Sequence, residues 1–155
     1  MKNISVLGAG GWGTTLAILL SHNKYSVTLW EFNPVYYETL MNLRENFYYL
    51  PGVKIPKSIK ITNDLSDAIL KSELLVVSTP TQFIRSVFEP VKDIDIENKV
   101  VVSVSKGIET NSLLLVSDIL LDVFKSLDRN NLVALSGPSH AEEVSRKIPT
   151  AVVAA

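Results

Sequence analysis

The chain has 155 residues, which is enough for one globular domain with a substantial core. Hydrophobic residues make up 46% of the sequence and charged residues 20%, a balance that excludes an intrinsically disordered protein. The net charge of −1 leaves no basic excess, so we expect no nucleic-acid partner. The absence of cysteine excludes disulfides and thiolate catalysis, and two histidines leave little for a metal site, so we expect no bound metal.

The apolar stretches of the sequence are short. Residues 16–20 form an uninterrupted apolar run, far below the ~20 residues of a membrane span. The first residues include one lysine and lack the apolar core of a signal peptide. We therefore expect a cytoplasmic protein that does not insert into a membrane.

Short apolar runs alternate with helical patterns along the chain. In chain order, the runs that predict strands are residues 4–7, 27–30, 59–61, 74–77, 100–104 and 132–135, and a further apolar run begins at residue 150. The patterns that predict helices are residues 11–21, 34–43, 64–70, 81–88, 112–127 and 140–146. Residues 46–58 are irregular because two prolines and a glycine interrupt them.

Local signals support these boundaries. Asn33 followed by Pro34 is typical of a helix start, and Pro90 is expected to stop the helix that precedes it. Apolar strands of four or five residues separated by helices indicate a parallel sheet that is covered on both faces. The sequence therefore predicts an α/β fold of the Rossmann type, doubly wound, with a mainly parallel sheet and helices on both faces.

A glycine-rich motif lies between the first strand and the first helix. Residues 8–13 read GAGGWG, which has the form G-x-G-x-x-G. Gly8 permits a tight turn, Gly10 lets the backbone approach a pyrophosphate, and Gly13 lets the helix pack against the strand. The free N–H groups at the helix start would bind the phosphates. We expect a dinucleotide here; the alternative is a tight turn without a ligand.

An acidic residue is expected at the end of the second strand, where its carboxylate would accept hydrogen bonds from the hydroxyls of the adenine ribose. Glu31 lies there, directly after the predicted strand 27–30. Its negative charge would repel a 2′-phosphate, and its neighbours Phe32 and Asn33 carry no positive charge. The sequence therefore favours NAD over NADP, although NADP remains possible. The alternative is a solvated surface glutamate.

Three later strand ends carry residues suited to ligand binding, because ligands of open α/β sheets lie beyond the carboxyl ends of the strands. Phe83 follows the fourth strand and could pack beside a ribose, or belong to the core. Lys106 precedes a turn glycine after the fifth strand and is placed to bind an anion. Gly137 and Ser139 flank a helix start after the sixth strand. His140 could act as an acid or base, but a helix cap or a surface group is the more common role.

The end of the sequence bears on domain organisation. The last apolar run reaches Ala155 without a turn signal. We therefore expect residues 1–155 to be a dinucleotide-binding domain cut from a longer protein. The alternative is a last strand that simply closes the edge of the sheet.

Three motifs together give the chain a family resemblance. They are GAGGWGT at residues 8–14, SKGI at residues 105–108 and SGPSHAEEV at residues 136–144. In this order and spacing they resemble the N-terminal domain of NAD(P)-dependent glycerol-3-phosphate dehydrogenases, and the resemblance covers the whole chain. It implies reversible hydride transfer between the nicotinamide and C2 of sn-glycerol 3-phosphate or dihydroxyacetone phosphate, for glycerophospholipid synthesis. It also implies a homodimer for the full-length protein.

The resemblance, combined with the reasoning on Glu31 and its neighbours, gives a set of candidate site residues. Those expected to bind the dinucleotide are Gly8, Gly10, Gly11, Trp12, Gly13, Glu31, Phe32, Asn33, Phe83, Lys106 and Ala141. Those expected to touch the phosphate substrate are Lys106, Gly137 and Ser139.

Two features depart from the family pattern. Bacterial members often carry a basic residue after the second strand, where this chain has Glu31, Phe32 and Asn33. The family's proton-donating lysine belongs to a helical C-terminal domain, so we expect it beyond Ala155. The chain alone is therefore expected to bind cofactor but not to turn over substrate.

Other functions stay open at this point. One alternative is the cofactor domain of a dehydrogenase for a different hydroxy acid or keto acid. Another is a non-catalytic module that senses a dinucleotide and ends naturally at Ala155. A flavin-binding protein is a weaker alternative.

Overall fold

The computed structural model describes residues 2–155. Its strands are β1 (Asn3–Leu7), β2 (Ser26–Trp30), β3 (Lys60–Thr62), β4 (Leu74–Val77), β5 (Val100–Ser103), β6 (Leu132–Ser136) and β7 (Val153–Ala154). Its α-helices are α1 (Gly11–His22), α2 (Pro34–Leu43), α3 (Leu65–Leu70), α4 (Ile84–Phe88), α5 (Val116–Val123) and α6 (Ala141–Ser145).

The strands form one sheet in the order β3-β2-β1-β4-β5-β6-β7. The pairs among the first six strands are parallel, and β7 pairs antiparallel with β6. The chain crosses from the β3 edge back to β4, next to β1, so the winding direction reverses between β1 and β4. This order confirms the predicted Rossmann-type fold, and such a reversal creates a crevice at the carboxyl ends of the strands.

The sheet is covered on both faces, as the continuous apolar strands predict. Leu75 and Val77 of β4 belong to a buried cluster that includes Phe88 and Ile119, whereas Val76 between them belongs to a second cluster with Leu40. Successive side chains of a strand point to opposite faces. The two clusters therefore fix the sheet between α1 and α2 on one side and α4 and α5 on the other.

The prediction of one long helix over residues 112–127 is wrong. The α-helix covers only Val116–Val123. Leu113 has a φ of +59°, and an isolated β-bridge joins Ile108 to Leu115, so the first residues form a turn. Phe124 takes an extended ψ of 95°, which ends the helix. Beyond the end of the helix, Phe124 and Leu127 enter the core without helical backbone, whereas Leu115 before its start is 54% exposed.

Other predicted boundaries need smaller corrections. The predicted helix 81–88 begins as a 3-10 turn at Thr81–Phe83 and becomes α-helical only at α4, and Pro90 lies inside a second 3-10 turn, Glu89–Val91. The third strand lies one residue later than predicted, the fifth ends one residue earlier, and the last helix is shorter than 140–146. The bounds of α2 and its cap are confirmed, because the Asn33 side chain accepts hydrogen bonds from the Val35 and Tyr36 amides. Within residues 2–155, no helix combines the length and the apolar character that crossing a membrane requires.

Candidate functional site

Two glycines of the loop between β1 and α1 are required by the packing of the protein itself. Gly8 has a φ of +126°, and a Cβ there would lie 2.9 Å from the carbonyl carbon of Ser78. A Cβ on Gly13 would collide with the carbonyl oxygen of Gly8 and come within 2.5 Å of the Ser78 Oγ. These contacts hold the first turn of α1 against the ends of β1 and β4.

Gly10 is different, because a Cβ there would meet no atom of the described residues within 4 Å, apart from its chain neighbours. Its backbone is extended, with φ −70° and ψ −177°, which any residue can adopt. Gly10 precedes the 12-residue helix α1, which starts without a side-chain cap and has no acidic residue in its first turn. The amide groups and the positive end of the helix dipole are therefore available to an anion that approaches through the space beside Gly10.

Gly11 and Thr15 connect the start of α1 to two other segments. A Cβ on Gly11 would lie 2.5 Å from the carbonyl oxygen of Tyr49 and 3.5 Å from the Ala141 Cβ. The Thr15 hydroxyl, one turn further along α1, donates a hydrogen bond to the Ala141 carbonyl at 3.2 Å. The start of α6 is thereby held against α1, which places Ala141 beside the glycine loop.

A cleft of about 540 Å³ opens beside the glycine loop. We name it the first cleft; its lining residues are Gly8, Ala9, Gly10, Trp30, Glu31, Phe32, Tyr49, Ser78, Thr79, Pro80, Phe83, Ser86 and Val87. Phe32 and Phe83 are 68% and 59% exposed, so both rings present apolar surface to a ligand. Phe32 packs its ring edge-on against Trp30, with 6.2 Å between the centroids.

Glu31 lies at the end of β2 and lines the first cleft. Its Oε1 accepts a hydrogen bond from the Asn33 amide at 2.8 Å, which fixes the carboxylate. Burial raises the pKa of Glu31, because the ionised form loses solvent. Neither lysine nor arginine occurs among the described residues that line this cleft.

Asn33 lies beside the first cleft rather than in it. It lines a neighbouring groove of about 300 Å³, which Glu31 and Tyr49 also line and which contains no basic residue among its described lining. The Asn33 Oδ1 accepts hydrogen bonds from the Val35 and Tyr36 amides at 2.9 Å and 3.0 Å. Its carboxamide oxygen is therefore engaged at the start of α2.

A second cleft of about 270 Å³ adjoins the first and shares Ser78 and Pro80 with it. The lining residues of this second cleft are Trp12, Ser78, Pro80, Val104, Ser105, Lys106, Ser139 and Ala141. The structure thus brings four of the predicted residues together in one place: Trp12, Lys106, Ser139 and Ala141.

Lys106 links the loop after β5 to the loop after β6. Its Nζ donates a hydrogen bond to the carbonyl oxygen of Gly137 at 3.0 Å. Gly137 has a φ of +154°, and a Cβ there would lie 2.6 Å from the Ala151 carbonyl oxygen, so this position requires glycine. The ammonium group is therefore held at the second cleft next to Ser139.

Hydrogen bonds from neighbouring strand ends fix the Lys106 loop. The Thr81 hydroxyl donates to the Lys106 carbonyl at 2.8 Å, and the Ser105 hydroxyl donates to the Thr79 carbonyl at 2.6 Å. Thr79 is buried and donates its own hydroxyl proton to the Leu7 carbonyl at 3.0 Å. The backbone at the ends of β1, β4 and β5 thus forms one connected floor beneath both clefts.

His140 lies at the N-cap position of α6, where its side chain makes no capping hydrogen bond. It is absent from the described lining of both clefts. Across residues 2–155, no three histidine, aspartate or glutamate side chains are grouped closely enough to hold a metal ion.

Sequence reasoning missed Asn46, which is fully buried. Its Nδ2 donates hydrogen bonds to the Ala9 carbonyl and to the Thr14 hydroxyl, both at 2.7 Å. Both partners belong to the glycine-loop region, although Asn46 lies in the irregular segment after α2. Only its polar side chain ahead of an aromatic run distinguished it in the sequence.

Comparisons with known proteins agree with this arrangement. A family model described as the N-terminus of NAD-dependent glycerol-3-phosphate dehydrogenase matches residues 3–155. A Chlorobium phaeobacteroides protein named glycerol-3-phosphate dehydrogenase [NAD(P)+] is 44% identical over 151 residues, which are 97% of this chain and 45% of that protein. A Fusobacterium nucleatum protein of the same name is 44% identical over 154 residues, 99% of this chain and 45% of that protein. The chain therefore spans less than half the length of these relatives.

Solved structures show the same relationship. A glycerol-3-phosphate dehydrogenase from Coxiella burnetii superposes with a TM-score of 0.88 at 26% identity, covering 97% of this chain and 45% of that one. The enzyme from Plasmodium falciparum superposes with a TM-score of 0.86 at 26% identity, covering 99% of this chain and 45% of that one. The chain thus belongs to the NAD-dependent glycerol-3-phosphate dehydrogenase family, in the part that forms the N-terminus of its members.

Proposed function

We propose that residues 1–155 are the dinucleotide-binding domain of a glycerol-3-phosphate dehydrogenase. One observation carries this proposal: Gly10 has no packing reason to be glycine, and it lies where an uncapped helix start meets the first cleft. A pyrophosphate needs such a position, where backbone can approach and free amides can bind. The residues present therefore fit a dinucleotide.

The dinucleotide would lie across the two adjoining clefts, with its adenosine in the first and its nicotinamide end in the second. Phe32 and Phe83 would flank the adenosine in the first cleft, and the Glu31 carboxylate would accept hydrogen bonds from the ribose hydroxyls. The glycine loop, with Trp12 and Ala141, would hold the pyrophosphate at the centre of the dinucleotide. The Lys106 ammonium and Ser139 would lie beside the nicotinamide end in the second cleft.

The proposed reaction converts sn-glycerol 3-phosphate and NAD⁺ into dihydroxyacetone phosphate, NADH and a proton. A bound nicotinamide would supply the hydride-accepting chemistry at C2. Lys106, held by the Gly137 carbonyl, would orient the C2 oxygen and stabilise negative charge on it. Ser139, which lines the same cleft, and Gly137, whose carbonyl holds the ammonium group, would contact the substrate beside Lys106. In the reverse direction the reaction would form sn-glycerol 3-phosphate, which supplies the glycerol phosphate backbone of phospholipids.

The charge of the adenosine region supports NAD as the preferred cofactor. Apart from Glu31 itself, the described residues that line the grooves on both sides of it are neutral, and none of them is lysine or arginine. A 2′-phosphate would therefore meet a carboxylate without a compensating cation. Asn33 contributes through its backbone amide, which holds the Glu31 carboxylate in place.

The test follows NADH formation at its near-ultraviolet absorbance with sn-glycerol 3-phosphate and NAD⁺. We expect no turnover by the 155-residue chain, because the family resemblance implies that the proton-donating lysine belongs to a helical C-terminal domain beyond Ala155. In the enzyme that contains this domain, we expect turnover, and Lys106→Met should lower kcat/KM by about 100-fold. Malate and 3-hydroxybutyrate serve as comparison substrates. Normal turnover by the 155-residue chain, or a preference for a hydroxy acid, would contradict the proposal.

We extend the proposal to a cytoplasmic enzyme that assembles as a homodimer and takes a small phosphate substrate. The family resemblance supports both the assembly and the substrate. Sedimentation of the enzyme that contains this domain, together with fractionation of the source cells, tests this part. A monomer, or recovery in the membrane fraction, would contradict it.

A further inference from the structure

The side chain of Asn46 joins three separate parts of the fold. On its amide side, the Nδ2 donates to the Ala9 carbonyl and the Thr14 hydroxyl, each at 2.7 Å. On its carbonyl side, the Oδ1 accepts from the Tyr36 hydroxyl of α2 and from the Tyr49 amide, the latter at 3.1 Å. Asn46 is 0% exposed, so these partners take the place of water.

The contact with Ala9 determines the direction of a neighbouring amide. Ala9 and Gly10 share one trans peptide plane, in which the carbonyl and the N–H point in opposite directions. Because Asn46 holds the Ala9 carbonyl, it also fixes the direction of the Gly10 N–H. The contact with the Thr14 hydroxyl fixes the first turn of α1, so both ends of the glycine loop are held by one side chain.

The contact with Tyr49 reaches the glycine loop from the other side. The Tyr49 carbonyl lies so close to Gly11 that a Cβ there would be 2.5 Å away, and Tyr49 lines the first cleft. By accepting the Tyr49 amide proton, Asn46 fixes this residue against the start of α1. Tyr49 therefore forms part of the wall of the candidate site, and the buried Asn46 holds it there.

We propose that Asn46 is a positioning residue that holds the glycine loop, before any ligand arrives, in the conformation that binds the pyrophosphate. Glycine-rich backbone loses more conformational freedom on ordering than other backbone. A loop ordered in advance lets the ligand bind without that cost. The inference rests on the proposed dinucleotide-binding function, and it assigns a role to a segment that lies between α2 and β3.

The test compares two substitutions on opposite sides of the same side chain. Asn46→Asp keeps the shape and the acceptor toward Tyr36 and Tyr49, but at pH 8 it places a carboxylate oxygen against the Ala9 carbonyl. Tyr36→Phe is the matched control, because it removes one hydrogen bond from Asn46 away from the glycine loop. Asn46→Ala is the second variant in case the aspartate variant does not fold.

Two quantities are measured on folded protein, well below the thermal midpoint. One is the Kd for NADH by calorimetry, with the stoichiometry as a check on the folded fraction, and the other is the amide hydrogen exchange of residues 10–13. We expect the Asn46 variants to bind NADH about tenfold more weakly or worse and to exchange faster without ligand. Tyr36→Phe should stay within about twofold of the unsubstituted chain in both quantities.

Each outcome decides between positioning and simple structural support. If the Asn46 variants lose thermal stability but the folded protein keeps its NADH affinity, Asn46 only supports the fold and the inference is overturned. Unchanged exchange at residues 10–13 overturns it as well. If the unsubstituted chain does not bind NADH, the proposed function fails, and hydrogen exchange alone then decides whether Asn46 orders the loop.

Discussion

Gly10 and Gly13 belong to one motif, but packing requires only Gly13 to be glycine, whereas Gly10 is proposed to leave room for the ligand. Stability and binding measurements can separate these two roles. Gly13→Ala would drive a methyl group into the Gly8 carbonyl and the Ser78 Oγ. We expect it to lower the free energy of unfolding by about 2–4 kcal/mol. The methyl group of Gly10→Ala would meet no atom of the described residues within 4 Å, apart from its chain neighbours, so we expect the free energy of unfolding to change by no more than about 0.5 kcal/mol.

For NADH binding by the folded protein we expect the reverse: Gly10→Ala, which leaves stability nearly unchanged, should weaken the affinity. The methyl group of Gly10→Ala would occupy the approach of the pyrophosphate, and NADH should bind about tenfold more weakly or worse. Chemical denaturation and calorimetry provide the two measurements. A stable Gly10→Ala variant with unchanged NADH affinity would show that the loop is a turn without a ligand.

Glu31 should contribute more to binding than to stability. Its pKa is raised because burial penalises the carboxylate, so the ionised side chain lowers stability above that pKa. Glu31→Gln keeps an acceptor for the Asn33 amide and removes the charge. We expect this variant to unfold at an equal or higher temperature at pH 7, yet to bind NADH about fivefold more weakly.

The pH dependence of NADH binding checks the same assignment. Ionised Glu31 is the stronger acceptor, so affinity should fall as the pH falls through its raised pKa, at a higher pH than for an ordinary glutamate. The Glu31→Gln variant should lack this step. A step of equal size in both proteins would assign the titration to another group.

The contacts of the buried Asn46 with the glycine loop could not be predicted from the sequence. The glycine motif and Glu31 were found because their spacing along the chain reflects the strand-turn-helix geometry. Asn46 acts through Ala9 and Thr14, which are more than 30 positions away in the chain. Nothing in the local pattern of residues 46–58 predicts such a contact, because only the fold creates it.

At the scale of elements, an ion-pair network ties the Lys106 loop to two helices. Arg85 of α4 donates from Nε to both carboxylate oxygens of Glu109 at 2.9 Å and 3.0 Å, and from Nη1 to Asp122 of α5 at 2.5 Å. Glu109 follows Lys106 by three positions, so the network anchors the loop that carries the ammonium group. The Ser112 hydroxyl and then Arg85 hold the pKa of Glu109 below its usual value.

This lowered pKa predicts an acid-dependent stability. The contribution is fully present above the pKa of an unfolded glutamate, about 4.3, and is lost as the pH falls through the lower folded-state pKa. The thermal midpoint of Glu109→Gln should therefore lie below that of the unsubstituted chain at pH 7, and the gap should shrink below about pH 4. The exposed Glu97→Gln is the control. If the difference between the two thermal midpoints does not change with pH, ionised Glu109 does not stabilise the fold through this network.

Helix boundaries were predictable only where a local signal fixes them. Asn33 and Pro34 fix the start of α2, and its predicted range is confirmed. The helix predicted over 112–127 lacked such signals, and its apolar spacing also suited a turn and an extended segment around α5. Periodicity reports which side chains face the core, and it does not report the backbone conformation that places them there.

The molecule as a whole gathers the candidate residues through its topology. The glycine loop, Glu31, Phe83 and Lys106 come from the ends of four different strands, and the parallel sheet brings these ends to one edge. The alternation of strands and helices in the sequence predicts both the mainly parallel sheet and the gathering of these strand ends at one edge. The antiparallel β7 and the division into two adjoining clefts depend on loop packing, which the sequence pattern does not specify.

The most direct test of the dinucleotide-binding function is a calorimetric titration of the chain with NADH and, separately, with NADPH. We predict binding at one site, with NADH tighter than NADPH and with the NADH affinity reduced by Glu31→Ala. Equal or tighter binding of NADPH would contradict the role of Glu31 as the residue that selects NAD. Binding of neither dinucleotide would contradict the assignment of the glycine loop as a pyrophosphate site in this chain.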